Sequence, residues 1–152
     1  MTLLSIRDLS IALPMGADRL YAAKDINFDL APGEILCIVG ESGSGKSMSA
    51  NAVMGLLPQG VLPDKGSITF DGQSILGLSE KEMLRLRGSR ISMIFQEPLS
   101  ALNPLMRVGA QIAEVFEAHG ALNSSERRAR ALKLLEEVGI LSRSVRAPRR
   151  AT

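Results

Sequence analysis

Residues 38–50 read IVGESGSGKSMSA, a stretch with three glycines and a lysine between two apolar segments. The segment before the glycines, ILCIVG at 35–40, predicts a strand buried on both faces, with Cys37 as a small core residue. The segment after them, KSMSANAVMGLL at 46–57, predicts a helix that Pro58 ends. The glycines therefore form a turn between a strand and a helix.

The turn matches the phosphate-loop pattern G-x-x-x-x-G-K-[ST] through Gly40, Gly45, Lys46 and Ser47, with Gly43 as an additional glycine. Glycine adopts backbone angles that side chains forbid, so successive N–H groups can turn inward around a phosphate, and the helix N-terminus adds partial positive charge. We expect Lys46 to neutralise the β- and γ-phosphates of a nucleotide and Ser47 to offer its hydroxyl to Mg²⁺. The predicted nucleotide-binding residues of the loop are Gly40, Glu41, Ser42, Gly43, Ser44, Gly45, Lys46, Ser47 and Met48. The alternative is a glycine-rich turn without a ligand.

Strand patterns lie on both sides of this loop. Apolar and polar residues alternate at 3–9 and at 24–30, which predicts two half-buried strands. A loop at 58–66 leads to a third short strand with its turn at 67–72, and RISMIF at 90–95 predicts a further strand. Together with the strand before the glycines, these segments favour a sheet-based core.

Helix patterns fill the rest of the chain. Residues 79–88 predict a polar helix with Ser79 as its N-cap. From Pro104 onward no strand pattern occurs, and two helices are predicted at 104–120 and 123–139, the second opening with Asn123 and Glu126 as a capping-box pair. The predicted fold class is α/β.

Composition limits the class of protein. The 152 residues suffice for one domain with a real core, which must be aliphatic because the chain has four Phe, one Tyr and no Trp. The longest apolar run is far shorter than a membrane span, the first ten residues lack a signal-peptide pattern, and a lone Cys37 fits a reducing compartment, so we expect a cytoplasmic location. The four arginines between Ser142 and Thr152 exceed the whole net charge of +2. The body is therefore not basic, and we expect no nucleic-acid partner.

Three longer stretches give the protein a family resemblance. GESGSGKS at 40–47, MIFQEPLSALNP at 93–104 and the basic helix ERRARALKLLEEVGI at 126–140 together resemble the ATP-binding subunit of ABC transporters, within them the peptide/nickel importer group. The resemblance runs from about Leu3 to Ile140. It implies a P-loop NTPase core of the ABC type, incomplete, with the core at 1–103, the start of a helical subdomain at 104–141, and an atypical Arg-rich tail at 142–152.

The resemblance also implies roles for residues outside the loop. Gln96 would be the glutamine that reaches Mg²⁺ and the attacking water, so that Lys46 and Gln96 are the implied catalytic residues. The segment from Glu97 to Pro104 would contact the membrane partner, and Tyr21 is the candidate for stacking on adenine, with packing on the strand edge as an equal alternative. The implied cofactors are ATP and Mg²⁺. The implied partners are transmembrane permease subunits and a second nucleotide-binding subunit, in a homo- or heterodimer on the inner face of the cell membrane.

The family's later motifs, a signature of the LSGGQ type, a strand ending in Asp-Glu and a switch histidine, are not in these 152 residues. We therefore expect a chain cut short or read in a shifted frame after about Ile140, with weak ATP binding and poor hydrolysis by itself. Two alternatives stay open: a non-catalytic interaction fragment, and a P-loop small-molecule kinase whose phosphate lid would use Arg127, Arg128 and Arg130. A GTPase is disfavoured because no guanine-recognition motif follows the loop.

Overall fold

The computed structural model describes residues 1–97, 102–120 and 122–140. It divides into two compact units, the first being Met1–Ser92 and the second beginning at Met93. The predicted boundaries at 103 and 141 stay predictions. The Arg-rich tail at 142–152 and the stretch 98–101 lie outside the described residues.

The first unit is built on a four-stranded antiparallel sheet with the order β2-β1-β3-β4. The strands are β1 (Leu4–Ala12), β2 (Tyr21–Leu30), β3 (Leu62–Phe70) and β4 (Gln73–Ser74). The three predicted strands at 3–9, 24–30 and 67–72 correspond to β1, β2 and the end of β3. The segment 58–66 was predicted as a loop, and this is wrong for its second half, because residues 62–66 pair with β1.

The core lies on one face of this sheet. Ile6 of β1 stands between Phe28 of β2 and Ile68 of β3, and both Ile6 and Ile68 are fully buried. Leu9 and Ile11 of β1 are also fully buried. Aliphatic side chains that are removed from water on a strand paired on both sides supply most of the stabilisation of such a small core.

The alternation in β2 was predicted correctly. Ile26, Phe28 and Leu30 are half-buried, while the polar residues between them are exposed. This end of β2 therefore has one face on the core and one face toward solvent.

Two helices complete the first unit. Helix α1 (Lys46–Met54) packs against β2 and buries Ser49, Ala52 and Met54. It ends before the predicted Pro58, because Gly55 takes a left-handed conformation and its N–H bonds the carbonyl of Ala52. Helix α2 (Glu80–Leu86) begins after Ser79, as predicted.

The predicted buried strand at 35–40 is wrong. Residues 34–41 form no strand, and with other described residues the backbone of 35–39 makes no hydrogen bond. Ile35 is 91% exposed and Val39 is 89% exposed, and Cys37, predicted in the core, is exposed as well. The physical reason is pairing: an extended segment becomes a strand only beside another strand, and the described strands pair only with one another.

The predicted strand at 90–95 is also wrong. Its only ladder contact in the described chain is an isolated parallel bridge between Arg87 and Ile91. Ile94 is 94% exposed and Phe95 is 45% exposed. As in 35–39, the segment is apolar, but no strand of the described residues pairs with it.

The second unit contains helices α3 (Val108–Ala118) and α4 (Ser124–Glu137), which pack on each other. Both lie within the predicted ranges. Asn123 and Glu126 form the predicted capping box: the Asn123 side chain accepts from the Glu126 N–H at 3.0 Å, and the Glu126 carboxylate accepts from the Asn123 N–H at 2.9 Å. Every helix in the described ranges is too short or too polar to cross a lipid bilayer.

Candidate functional site

The glycine-rich loop leads directly into α1. Gly45 is the residue before the helix, with φ 93°, so its backbone conformation is one that favours glycine. A Cβ on Gly45 would lie 2.6 Å from the carbonyl oxygen of Ala22 and 2.8 Å from the Cβ of Ala23. The loop therefore contacts the start of β2 at a distance that only glycine permits.

The first turn of α1 has free backbone donors. The first helical hydrogen bond runs from the Ser49 N–H to the Gly45 carbonyl at 2.9 Å, and the Ser49 hydroxyl donates to the same oxygen at 3.0 Å. The N–H groups of the three preceding helical residues thus have no acceptor inside the helix. The first turn carries no acidic residue, so nothing on the helix itself competes with an incoming anion for this positive end.

The Lys46 ammonium folds back over the loop. It donates to the carbonyl oxygens of Gly40 at 2.6 Å and Glu41 at 2.7 Å, and it lies 3.3 Å from the Ser44 hydroxyl. The loop is closed further by the Ser44 N–H, which donates to the Glu41 carbonyl at 3.2 Å. Lys46 therefore holds its charge inside the loop, on neutral acceptors that a phosphate oxygen can replace.

The remaining predicted loop residues differ in exposure. Ser42 and Ser47 are exposed, and Met48 is half-buried against the core of the first unit. Ser47 is a hard oxygen donor in the first turn of α1, which suits Mg²⁺. In the ranges that the structure describes, no group of three or more His, Cys, Asp or Glu residues could hold a metal ion.

The other end of α1 is held by an arginine that the sequence analysis did not identify. Arg87 donates from Nε to the carbonyl of Met54 at 2.8 Å and from Nη2 to the carbonyl of Gly55 at 3.0 Å. Glu80 accepts from both terminal nitrogens of Arg87, at 2.6 Å and 3.3 Å. The carbonyls at the C-terminal end of α1 thus accept hydrogen bonds from a cation, which is favourable at a helix C-terminus. No local pattern shows this contact, because Arg87 follows α1 by more than thirty residues.

Tyr21 lies at the start of β2 and is half-buried. Its hydroxyl donates to the Asp64 carboxylate at 2.9 Å, and this hydrogen bond raises the pKa of Tyr21. The Lys24 ammonium lies 5.8 Å from the centre of its ring. These contacts place Tyr21 on the sheet, and its stacking on adenine stays a prediction.

Gln96 belongs to the second unit and is exposed. The glycine-rich loop belongs to the first unit, so the role of Gln96 beside the nucleotide stays a prediction. Of the three arginines considered for a kinase lid, Arg127 pairs with Glu117 of α3 at 2.7 Å. That pair joins the two helices of the second unit, which favours packing over a lid.

A glycine-rich loop that encloses a lysine and opens a helix beside a sheet defines the class of phosphate-loop nucleotide-binding proteins. The comparisons with known proteins narrow that class. The family model described as "ABC transporter" matches residues 23–151. This match covers well over half of the chain, and the chain therefore belongs to the ABC transporter family, as the sequence resemblance predicted.

Curated relatives agree with this assignment. The chain is 48% identical over 139 residues to the peptidoglycan transport ATP-binding protein YejF of Agrobacterium fabrum, an alignment that covers 91% of this chain and 26% of that protein. It is 46% identical over 142 residues to the oligopeptide transport ATP-binding protein OppD of Bacillus subtilis, covering 91% of this chain and 39% of the relative. The chain thus spans about a quarter of the first relative's length and about two-fifths of the second's.

A solved structure supports the fold class. The dimeric structure of a post-hydrolysis state of the ATP-binding cassette MJ0796, bound to ADP and Pi, matches with a TM-score of 0.74 and 26% identity. The match covers 96% of this chain and 61% of that one. The predicted ABC-type α/β core is confirmed. The match to the ABC transporter family, whose proteins bind ATP, replaces the kinase and GTPase alternatives.

Proposed function

We propose that this chain is part of the ATP-binding subunit of an ABC importer for peptides or a related small solute, and that the loop at 40–48 holds the nucleotide. The observation that carries the proposal is the position of the Lys46 ammonium, 2.6 Å and 2.7 Å from two loop carbonyls. A lysine enclosed by its own glycine-rich loop is ready to exchange these neutral acceptors for phosphate oxygens, which bind a cation more strongly.

The proposed roles of the loop residues follow from their places. Gly40 and Gly45 allow the close approach of the backbone, the amides at the start of α1 bind phosphate oxygens, and Lys46 neutralises their charge. Ser47 would hold Mg²⁺ together with the phosphate oxygens, and the ion would neutralise charge that develops on the transferred phosphoryl group. Gln96 would orient the attacking water, and Tyr21 is proposed only as a contact of the adenine.

The proposed partners come from the relatives. Their names describe transport ATP-binding proteins for oligopeptides and peptidoglycan, and the similar cassette MJ0796 is described as dimeric. We therefore propose permease subunits and a second nucleotide-binding subunit as partners, at the inner face of the cell membrane. A dimer would also supply groups that complete the site from the other subunit.

The first experiment is equilibrium binding of Mg·ATP to this chain and to Lys46→Ala. We expect the substitution to weaken binding by about tenfold or more, since it removes a charge-assisted contact to phosphate. Lys81→Ala, at an exposed position of α2, is the matched control and should bind as the wild type does. Equal binding by Lys46→Ala and the wild type would overturn the nucleotide site.

The second experiment tests transport in a cell. Lys46→Ala in the subunit that contains this chain should abolish uptake of labelled oligopeptides, while Lys81→Ala should leave uptake unchanged. Normal uptake with Lys46→Ala would contradict the proposed role in peptide import.

A non-catalytic interaction fragment is a second candidate, because Ile35 and Val39 are almost fully exposed and large exposed apolar side chains suit a partner surface. The binding experiment separates the two candidates. An interaction fragment would show no affinity for Mg·ATP that depends on Lys46.

A further inference from the structure

We propose that Arg19, in the loop between β1 and β2, is a further nucleotide-contact residue that binds the polyphosphate tail at the rim of the glycine-rich loop. The inference rests on the nucleotide site proposed above and adds a second cation to it. Neither the phosphate-loop pattern nor the family resemblance pointed to this residue.

The first observation is a direct contact with the glycine-rich loop. Arg19 donates from Nη1 to the carbonyl oxygen of Gly43 at 2.8 Å, although the two residues are 24 positions apart. Both terminal nitrogens of Arg19 lie 3.8 Å from the place where Gly43 would carry a Cβ. The guanidinium therefore lies beside the bare backbone of Gly43, in the loop that also contacts Lys46.

The second observation is the state of the Arg19 charge. Of the four other arginines of the first unit, three pair with carboxylates: Arg7 with Asp29, Arg87 with Glu80 and Arg90 with Asp71; among the described residues, Arg85 does not. Arg19 forms no ion pair with any residue of the described ranges. Its only hydrogen bond there goes to a neutral carbonyl, so no described carboxylate forms an ion pair with it.

These two observations together define what Arg19 can recognise. A guanidinium has five N–H donors, and the contact with Gly43 uses one of them. The remaining donors suit the oxygens of a phosphate, with which guanidinium forms paired hydrogen bonds. A nucleotide tail in the loop would bring several negative charges close to this cation, and the attraction grows with the number of phosphates.

The contact with Gly43 suggests two roles that an experiment can separate. If Arg19 only fixes the loop, any side chain that donates to the Gly43 carbonyl would replace it. If Arg19 binds phosphate through its charge, lysine would keep part of the affinity and glutamine would not. Substitutions at this exposed residue should leave the fold intact, which thermal unfolding of each variant would verify.

The experiment measures dissociation constants of Mg·ATP, Mg·ADP and AMP for the wild-type chain, Arg19→Gln and Arg19→Lys. We expect Arg19→Gln to weaken Mg·ATP binding by about three- to tenfold, to weaken Mg·ADP less, and to change AMP by less than about twofold. Arg19→Lys should lose less Mg·ATP affinity than Arg19→Gln, because lysine keeps the positive charge but not the paired donors of the guanidinium. The matched control is Arg90→Gln, an exposed arginine whose partner is Asp71, and it should not change Mg·ATP affinity.

Three results would overturn the inference. They are an unchanged Mg·ATP affinity in Arg19→Gln, an equal loss for ATP and AMP, and an equal loss in Arg90→Gln. Lys46→Ala in the same series separates the two proposals. If Lys46→Ala weakens Mg·ATP binding and Arg19→Gln does not, the role of Arg19 alone is wrong. If neither does, the nucleotide site and the role of Arg19 are both wrong.

Discussion

Strand β1 and the segment 35–39 are both rich in aliphatic residues, yet they have opposite environments. Ile6, Leu9 and Ile11 of β1 are fully buried between two neighbouring strands. Ile35 and Val39 are about nine-tenths exposed, in a segment that pairs with no described strand. Apolar composition indicates a tendency to be buried, but a strand needs partners for its backbone groups before that tendency can be realised.

Amide hydrogen exchange should show the largest contrast between these two regions. We expect the paired amides of β1 to exchange only when the whole first unit unfolds, because both of their neighbours must open. The amides of 35–39 should exchange at nearly the rate of an unfolded chain. Strong protection in 35–39 would show that this segment has a pairing partner after all.

Truncation of one side chain in each region gives the next largest effect. Ile68→Ala should lower the free energy of unfolding by about 2–5 kcal/mol, since Ile68 of β3 is fully buried. Val39→Ala should change it by less than about 0.5 kcal/mol, because Val39 is 89% exposed. Urea unfolding followed by circular dichroism measures both. Similar losses of unfolding free energy in the two variants would contradict the difference in burial between Ile68 and Val39.

The glycine-rich loop directly follows the exposed segment 35–39, and Gly45 brings the loop into close contact with β2. Gly45→Ala should destabilise the fold by about 2–4 kcal/mol, because the new methyl group meets Ala22 and Ala23 and the backbone is in a left-handed conformation. Gly72 has a similar φ, 78°, but open space around it. Gly72→Ala should therefore cost only about 1–2 kcal/mol, and an equal cost at both sites would contradict the close contact of loop and strand.

Arg87 donates to the carbonyls at the C-terminal end of α1. Removing its side chain should destabilise the fold less than Gly45→Ala does. Arg87→Ala should destabilise the first unit by about 1–3 kcal/mol, because the carbonyls of Met54 and Gly55 lose a charged donor whose side chain is 15% exposed. Arg90→Ala, an exposed arginine paired with Asp71, should cost less than about 1 kcal/mol. Equal thermal shifts in the two variants would show that the contact with α1 is not important.

The smallest effect is expected at the exposed start of α2. The Glu82 carboxylate accepts from the Ser79 hydroxyl at 2.5 Å and the Ser79 N–H at 2.8 Å, and these bonds lower the pKa of Glu82 below its usual value of 4.5. Because the folded pKa is lowered, this stabilisation is present above about pH 4.5 and is lost as the pH falls through the folded pKa. Glu82→Gln should thus be slightly less stable at pH 7 and equal to the wild type in acid. A difference that does not vary with pH would contradict this.

The sequence predicted local features well. The alternation of β2, the N-caps at Ser79 and Asn123, and the capping box with Glu126 all depend on residues a few positions apart. The glycine-rich loop was found for the same reason, since its pattern fits within eight residues. The ends of α1 and β3 were predicted less accurately, because Gly55 ends the helix early and residues 62–66 pair with β1.

Long-range contacts could not be predicted in the same way. Arg19 and Gly43 are 24 residues apart, and Arg87 and Met54 are 33 apart. Nothing in the sequence near either arginine indicates these partners. The burial of 35–40 and 90–95 was predicted wrongly because burial was inferred from composition alone, whereas it depends on strands elsewhere in the chain.

The sequence by itself determined the family, the glycine-rich loop with Lys46 and Ser47, and the ends of the capped helices, because each follows from residues that are close neighbours along the chain. Only the tertiary structure decided which apolar segments are buried and which arginines meet the loop and α1. Burial and hydrogen-bond partners depend on the backbone groups that folding brings together, and those groups come from distant parts of the chain.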